Sequence, residues 1–429
     1  MANNINNIKV TVGKETTPGT AVARTKVIPI RGLPTLTKSA KKERDPVIVG
    51  KGMASGNVLM SYDVAGGLPI SFRPVAGVGL ILKSLLGTEA AVEQIGAVIR
   101  IKFTGAEASC KLVGDTTGDT LKSYIGVKGS EALDSNFGTS GSIDLTALPT
   151  DTVAELVAVI DGYTDYSAEL LDGDGAVSAA DIIDITVQAK DGWAVVWFSS
   201  TTSGVYKHTF TPDLTNTERV TLSVQQDGFQ DNYLYAGNVV DSFSLSAALQ
   251  GMVEAEAALM GFTEVGGQTA SALALEQMDP MVFANGITSF AGVDYTFVRS
   301  VSMEVKNNHQ GDLGFGQGSL GRQANLKAMF EASGDLQLRL DAESDDKRPT
   351  VYTTDTVSLL LIYKGGLIGS SLYERAIIEL PYVGLSETGF EDNGGTLDIR
   401  YNWEAFKPDG TIYNEPITIH LINEDPAVY

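Results

Sequence analysis

Val301-Ser-Met-Glu-Val-Lys-Asn-Asn308 alternates apolar and polar residues and then breaks into two turn-forming asparagines. Successive side chains on a strand point to opposite faces, so Val301, Met303 and Val305 share one face and Ser302, Glu304 and Lys306 the other. The same period recurs at Ile8/Val10/Val12, Val58/Met60/Tyr62/Val64, Val220/Leu222/Val224 and Phe243/Leu245/Ala247. It returns at Leu336/Leu338/Leu340, Leu397/Ile399/Tyr401/Trp403 and Ile417/Ile419/Leu421. Gly-, Asn- and Asp-rich turns separate the runs. That is the signature of antiparallel sheets with one packed face, and the fold expected is mainly β: a sandwich or barrel with few flanking helices.

Three segments read as helix. Pro74 opens one in which Val75, Val78, Leu82, Leu85 and Leu86 lie along a stripe closed by Gly87. Thr152-Val-Ala-Glu155 is a capping box ahead of Leu156, Val157 and Ile160. Residues 248–260 form a third helical pattern, weakened by Gly251.

Charge divides the chain. Residues 1–90 carry 12 Lys+Arg against 5 Asp+Glu, residues 91–205 carry 6 against 17, and residues 206–429 carry 13 against 31. The net charge of −22 argues against a sequence-reading nucleic-acid binder and against docking on an anionic membrane. Composition also shifts near 91 and 205, so 91–205 reads as an inserted peripheral module, α+β or Ig-like, within a domain built from 1–90 and 206–429. Within that remainder, Ala54-Ser-Gly56 and Ala332-Ser-Gly334 suggest a second module by internal duplication. The N-terminal Met1-Ala-Asn-Asn-Ile-Asn-Asn has neither a basic nor an apolar region, so no signal peptide is expected, and no 18-residue apolar run marks a membrane span.

Signatures of chemistry are weak. Gly316-Gln-Gly318-Ser-Leu-Gly321 fits a dinucleotide motif by letter, but turn residues precede it and no β-α-β pattern surrounds it. Asp172-Gly-Asp174-Gly175 begins like a calcium loop, yet Ala176 and Ile183 stand where an EF-hand needs oxygen ligands; Asp181 and Asp184 leave a non-EF cation site open. The single Cys110 reads as a small buried hydrophobe, and His208, His309 and His420 lie in unrelated settings with structural or solvated roles. No catalytic, cofactor or metal residues are assigned and no enzyme is expected. The basic stretch Arg24, Lys26, Arg31, Lys38, Lys41, Lys42, Arg44 and Lys51 is opposed only by Glu43 and Asp45. It lacks interleaved aromatics for stacking on single strands. Its 24–52 span reads as a polar arm reaching an acidic surface on a neighbouring copy.

With these residues in view, the chain resembles the major tail tube proteins of long-tailed bacteriophages. The resemblance rests on Gly13-Lys-Glu15-Thr-Thr-Pro-Gly19-Thr with Val27-Ile-Pro-Ile30, on the arm leading into Gly56-Asn-Val-Leu-Met-Ser-Tyr-Asp-Val64, and on Leu82-Lys-Ser-Leu-Leu-Gly87. It continues through His208-Thr-Phe-Thr-Pro212, Tyr235-Ala-Gly-Asn-Val-Val-Asp-Ser-Phe-Ser-Leu245 and Val301-Ser-Met-Glu-Val-Lys-Asn-Asn308. It covers about 1–90 and 205–405. It implies a structural virion protein, assembled in the host cytoplasm, whose rings stack into a conduit for DNA ejection. It implies partners: itself as a trimeric pseudo-hexamer or a hexamer, a tape measure protein, terminator and tip proteins, and double-stranded DNA passing without specific binding. The arm would be the inter-ring contact. Asp63, Asp241, Glu304, Asp335 and Asp341 are candidate lumen-facing acids that would repel phosphates. The alternative reading is a β-sandwich carbohydrate-binding or adhesive protein, with Trp193 and Trp197 as its best argument.

Overall fold

The computed structural model describes residues 8–44, 57–190, 192–215, 219–228, 231–317, 319–353, 355–369, 371–392, 394–407 and 415–429. Antiparallel strands dominate, joined into a 21-stranded network and a separate 5-stranded sheet. The alternating runs form strands as their period requires. Along Val298–Lys306, for example, Val301, Met303 and Val305 are buried while the residues between them are partly exposed.

One pairing scheme occurs twice. In chain order, its first occurrence uses Lys9–Lys14, Lys26–Ile28, Thr37–Arg44, Asn57–Ser71, Leu222–Asp227, Tyr233–Ala248 and Glu254–Gly261. The second uses Ile287–Phe290, Val293–Asp294, Val298–Lys306, Glu331–Arg339, Val357–Ile368, Leu372–Asp392 and Leu397–Ala405. In both, the first strand pairs with the second and fifth, the fifth with the sixth, the sixth with the seventh, the seventh with the fourth, and the fourth with the third. The register shifts in the same way in the fifth-to-sixth pairing of each set: between Leu222 and Val224, opposite Asn238 and Tyr235, and between Val357 and Leu359, opposite Val383 and Leu380. Bulges bend a strand and re-aim its residues, so this one serves as a structural anchor. Counting from it, the row Thr37–Ala65–Met260–Val239 matches the row Glu304–Ser333–Glu404–Gly384. The letters that suggested duplication do not fall on matched positions, since Ser333 corresponds to Ala65 rather than to Ser55.

The two repeats join where Tyr233–Ala248 pairs with Val298–Lys306. Their third, fourth, seventh and sixth strands thus lie side by side in one sheet. Its apolar face, with Ile70, Ala255, Leu245 and Met303, closes on the main core. The helix Ala76–Leu86 lies inside that core with all eleven residues buried, and it ends as read at Gly87, whose φ of 97° suits glycine. Each buried Leu or Ile contributes about 1.5–3 kcal/mol.

The segment 248–260 is a correction to the sequence reading. It is the end of one strand, a turn at Leu249–Gly251 and the strand Glu254–Gly261, in which Ala255, Ala257 and Leu259 are buried. Its alanines fit either period. Pairing with strands on both sides decided for β.

Residues 97–198 supply a second core, between the sheet of Glu93–Phe103, Tyr166–Gly173 and Ala194–Ser199 and the five-stranded sheet. The helix Val153–Asp161 covers it, capped by Thr152 as its sequence predicts. A third cluster ties this segment to the body: Ile95, Val98, Val195 and Trp197 pack with Leu360, Ile362, Leu372, Ile377 and Ile422. Between the same two parts, Arg375 Nε donates to Asp172 Oδ2 at 2.7 Å, with both side chains buried.

Candidate assembly surfaces

Thr37–Arg44 pairs with Asn57–Ser71 as a hairpin, and all eight of its residues are exposed. Asn57–Ser71 pairs on its other side with Glu254–Gly261 only from Val64 onward, so residues 57–63 and their partners run past the rim of the sheet. Val58 and Met60 are exposed there. A lone two-stranded hairpin gains little stability in water, and an apolar face left open on one indicates a partner.

The arm residues divide. Lys26 pairs with Asp425 at 2.5 Å, and Arg31 with Glu254 at 3.1 Å. Arg24 is half-buried and reaches the carbonyl of Val22. Those three serve their own chain. Lys38 lies over the Tyr62 ring at 4.0 Å, and with Lys41, Lys42 and Arg44 it is solvent-facing. Lys51 lies outside the described residues.

Residues directly opposite each other on paired strands share a face. One row across the sheet reads Ser71, Glu254, Ser246, Ser302, Asp335, Asn402, Ser386, and the next reads Pro69, Glu256, Ser244, Glu304, Ser333, Glu404, Gly384. This polar face carries Glu304 and Asp335 as the sequence suggested. Glu304 binds Lys306 at 2.7 Å, which raises the lysine's pKa, and Asp335 accepts from Arg400 at 3.1 Å. Asp63 is bound by Arg322 at 2.7 Å.

Asp241 sits at a register shift and accepts from the His309 backbone at 2.7 Å and ring at 3.1 Å. Burial acts to raise its pKa, but the His309 hydrogen bonds outweigh this and hold the carboxyl below its usual range. Asp341 lies beyond its strand, capping the turn at Ala342–Asp345. Sequence reasoning missed Glu254, Glu256 and Glu404. The first two were hidden by the helical reading of 248–260, although their alternation with Ala255 and Ala257 was the available signal.

Two edges in this sheet are unpaired among the described residues. One is Thr37–Arg44, which carries Lys38, Lys41, Lys42 and Arg44 against Glu43. The other is the second half of Leu372–Asp392, where Gly384–Asp392 pairs with Leu397–Ala405 on one side alone and carries Glu391 and Asp392. The equivalent half of Tyr233–Ala248 is covered on that side by Val298–Lys306, the strand that matches Thr37–Arg44.

The remaining motifs are structural. His208 is fully buried, with its ring nitrogens 3.0 Å from Glu89 Oε1 and 2.9 Å from the Asp425 carbonyl, and it stacks on Tyr429. His420 meets Thr209 Oγ1 at 3.0 Å. Cys110 is buried, and burial pushes its thiol up to about 11. Trp197 is buried beside Lys207 and His420, and the guanidinium of Arg100 lies 4.2 Å from the Trp193 ring. Among the described residues no group of three or more His, Cys, Asp or Glu could hold a metal ion, and no helix is long and apolar enough to cross a membrane.

A family model described as phage tail tube protein matches residues 5–405. The chain belongs to that family. Membership in the phage tail tube family implies a structural role, a place in the virion tail, and self-assembly into a tube alongside other tail components. No curated protein matches it significantly.

Proposed function

We propose that copies of the chain close laterally into rings, that the rings stack, and that the polar face of the eight-stranded sheet lines a conduit through which DNA leaves the capsid. The observation carrying this is the pair of unpaired edges, one basic and one acidic, at the two ends of the same sheet. Unpaired edges invite pairing with another chain. A head-to-tail contact whose rotation closes makes a ring. Each chain supplies two tube modules, one per seven-stranded repeat, so three copies make a ring of six modules. Acidic side chains in the rows (Glu254, Glu256, Glu304, Asp335, Glu404) outnumber the basic ones and repel phosphates, letting DNA slide.

The arm hairpin extends past the sheet rim toward the next ring, with Lys38, Lys41, Lys42 and Arg44 available for contact. The module at 91–205 is fastened to the body through Leu360, Ile362, Leu372, Ile377 and Ile422 and decorates the outside. The tape measure, terminator and tip proteins are partners at the tube's lumen and ends, and assembly takes place in the host cytoplasm. The carbohydrate-binding alternative loses its main support, because Trp193 and Trp197 are engaged in internal contacts.

On this reading Ser39 of one copy would lie opposite Ser386 of the next, by analogy with Lys306 opposite Ser242 within the chain. Oxidising a Ser39→Cys/Ser386→Cys variant after tube assembly is expected to give a ladder ending at trimer on a non-reducing gel, with three-fold class averages in negative stain. A ladder ending at hexamer would refute the three-copy ring. Failure of purified protein to form tubes, with no cross-linking, would refute lateral closure.

A further inference from the structure

The segment 91–205 is inserted in the first repeat but docks on the second. Between its fourth and fifth strands the first repeat has residues 72–221, where the second has 340–356. The insertion leaves and re-enters the body through two paired strands, Gly87–Glu89 and Tyr206–Pro212. On its other side Tyr206–Pro212 pairs with Thr418–Asn423, which pairs in turn with Leu372–Asp392. This stalk is covalently part of the first repeat, and it extends the outer sheet of the second.

From the stalk, the strand Glu93–Phe103 crosses that outer sheet from edge to edge. Glu93 pairs with Lys207 at one edge, and Arg100 Nη1 donates to Asp294 Oδ1 at 3.1 Å at the other. The sheet runs Tyr206–Pro212, Thr418–Asn423, Leu372–Asp392, Val357–Ile368, Ile287–Phe290, Val293–Asp294. Its five spacings of about 4.8 Å span about 24 Å, and the seven residues from Glu93 to Arg100, at about 3.3 Å each, reach about 23 Å. Lys102 Nζ adds a bond to the Gly292 carbonyl at 2.7 Å. Beneath this strap, Leu359 and Leu361 belong to the main core, while Leu360 and Ile362 pack in the cluster of Val98 and Trp197. A strand apolar on both faces is covered on both. The main core therefore separates the strap from the polar rows. The first repeat offers no such seat. Counted from the shared bulge, Gln225 and Asp227 stand where the second repeat has Leu360 and Ile362, and they bind the Thr269 carbonyl at 2.8 Å and the Ser271 amide at 2.9 Å.

We propose that 91–205 is an internal brace: tethered to the first repeat by its stalk and strapped across the second, it sets the angle between the two tube modules of one chain for ring closure. This rests on the ring reading above and goes beyond it. The seam of Tyr233–Ala248 with Val298–Lys306 joins the repeats within the inner sheet. Neighbouring strands tolerate twists from about −10 to −35°, so one ladder leaves the angle loose. A second attachment on the far side of the core removes that freedom. A head-to-tail contact makes a ring only when its rotation closes, so the angle matters to assembly. With one brace for every two repeats, each seam within a chain is held and the seams between copies are not.

The test uses the full chain. Dyes on Leu33→Cys and Leu397→Cys, exposed positions on the first and second repeats, report the joint by single-molecule energy transfer at a dilution that keeps chains separate. The parent is expected to give one narrow transfer population. Asp172→Ala/Asp294→Ala removes both charged ties to the second repeat while Glu169 still pairs with Arg100. It is expected to broaden the population and to raise the critical concentration for tube formation about tenfold or more, since fewer chains hold the closing angle. A lock provides the second variant. A Cβ on Gly192 would stand 2.9 Å from Ser358 Cβ across the dock, a little under the usual disulfide separation of about 3.5–4.5 Å. Oxidised Gly192→Cys/Ser358→Cys in the Asp172→Ala/Asp294→Ala chain is expected to restore assembly, and reduction to lose it again. The proposal is overturned if the unlocked variant keeps the narrow population, if the oxidised lock assembles no better than the reduced one, or if the joint loosens while tubes form normally. Any of those results with a normal Ser39→Cys/Ser386→Cys ladder removes the brace alone. Loss of that ladder in the otherwise native chain removes the ring reading, and with it the brace's part in closure.

Discussion

Replacing Asp172 by Ala should loosen the 91–205 segment from the body, and the structure sets the size of the effect. Asp172 Oδ2 accepts from Arg375 Nε at 2.7 Å and from the Tyr373 backbone at 3.0 Å, while Arg375 Nη2 donates to the Leu171 carbonyl at 2.8 Å. The two side chains are 4% and 2% exposed, so water screens the pair little. Asp172→Ala therefore leaves a buried guanidinium with one partner of two and removes the side-chain acceptor of the Tyr373 amide. Stranding one partner of a buried pair costs about 3–5 kcal/mol. At 1.4 kcal/mol per factor of ten, that weakens the docked state by about two to three and a half orders of magnitude.

The assay is urea unfolding followed by tryptophan fluorescence, since Trp193 and Trp197 report on this segment and Trp403 on the body. Hydrogen exchange across Tyr166–Gly173 and Leu372–Asp392 locates the loss. Arg375→Met should cost a similar amount. Asp172→Ala/Arg375→Met should cost clearly less than the two losses together, because the second change removes the stranded charge. A loss below about 1 kcal/mol for Asp172→Ala, or strictly additive losses, would refute the reasoning.

Other expectations follow from single sites. Glu374 is 4% exposed, and burial, reinforced by the charges of Asp279 and Glu424, pushes its carboxyl up to about 7. The folded state then holds a proton that the unfolded chain releases, so stability falls as pH rises from about 4.5 to about 7. Glu374→Gln should remove that fall, worth on the order of 2–3 kcal/mol, and an equal melting difference from the parent at pH 5 and pH 8 would contradict it. A Cβ on Gly79 would stand 2.1 Å from the Tyr429 ring. Gly79→Ala should cost about 1–3 kcal/mol in chemical denaturation, and much of that penalty should disappear in a Tyr429→Ala background. Cys110 should stay unreactive to a thiol reagent in the folded chain; rapid labelling without denaturant would contradict its burial.

Much of the fold was legible because period-two patterning is a local property. Val301, Met303 and Val305 pack inward whatever lies beside them, and Thr152 caps its helix from four residues of sequence. The segment 248–260 was misread for the complementary reason. A run rich in Ala with Glu between satisfies both periods, and neighbouring strands, invisible in the sequence, broke the tie. The assembly surfaces were legible in sign but not in place. The basic run was evident from composition, yet Lys26 and Arg31 proved to be bound within the chain while Lys41, Lys42 and Arg44 remained outward. Asp341, read as a strand-face acid, is a cap, and Glu404 was not singled out at all.

By itself the sequence determined the strand-rich class, the buried helix after Pro74 and the polarity of charge, because each depends on residue type and near-neighbour spacing. Tertiary structure alone decided the repeated pairing scheme. That repeat lives in hydrogen-bond partnerships between strands up to 218 residues apart, as at Lys9 and Asp227, with almost no shared letters to reveal it. It also decided which charges are spent inside the chain and which edges are left open, since both depend on what the rest of the chain brings alongside.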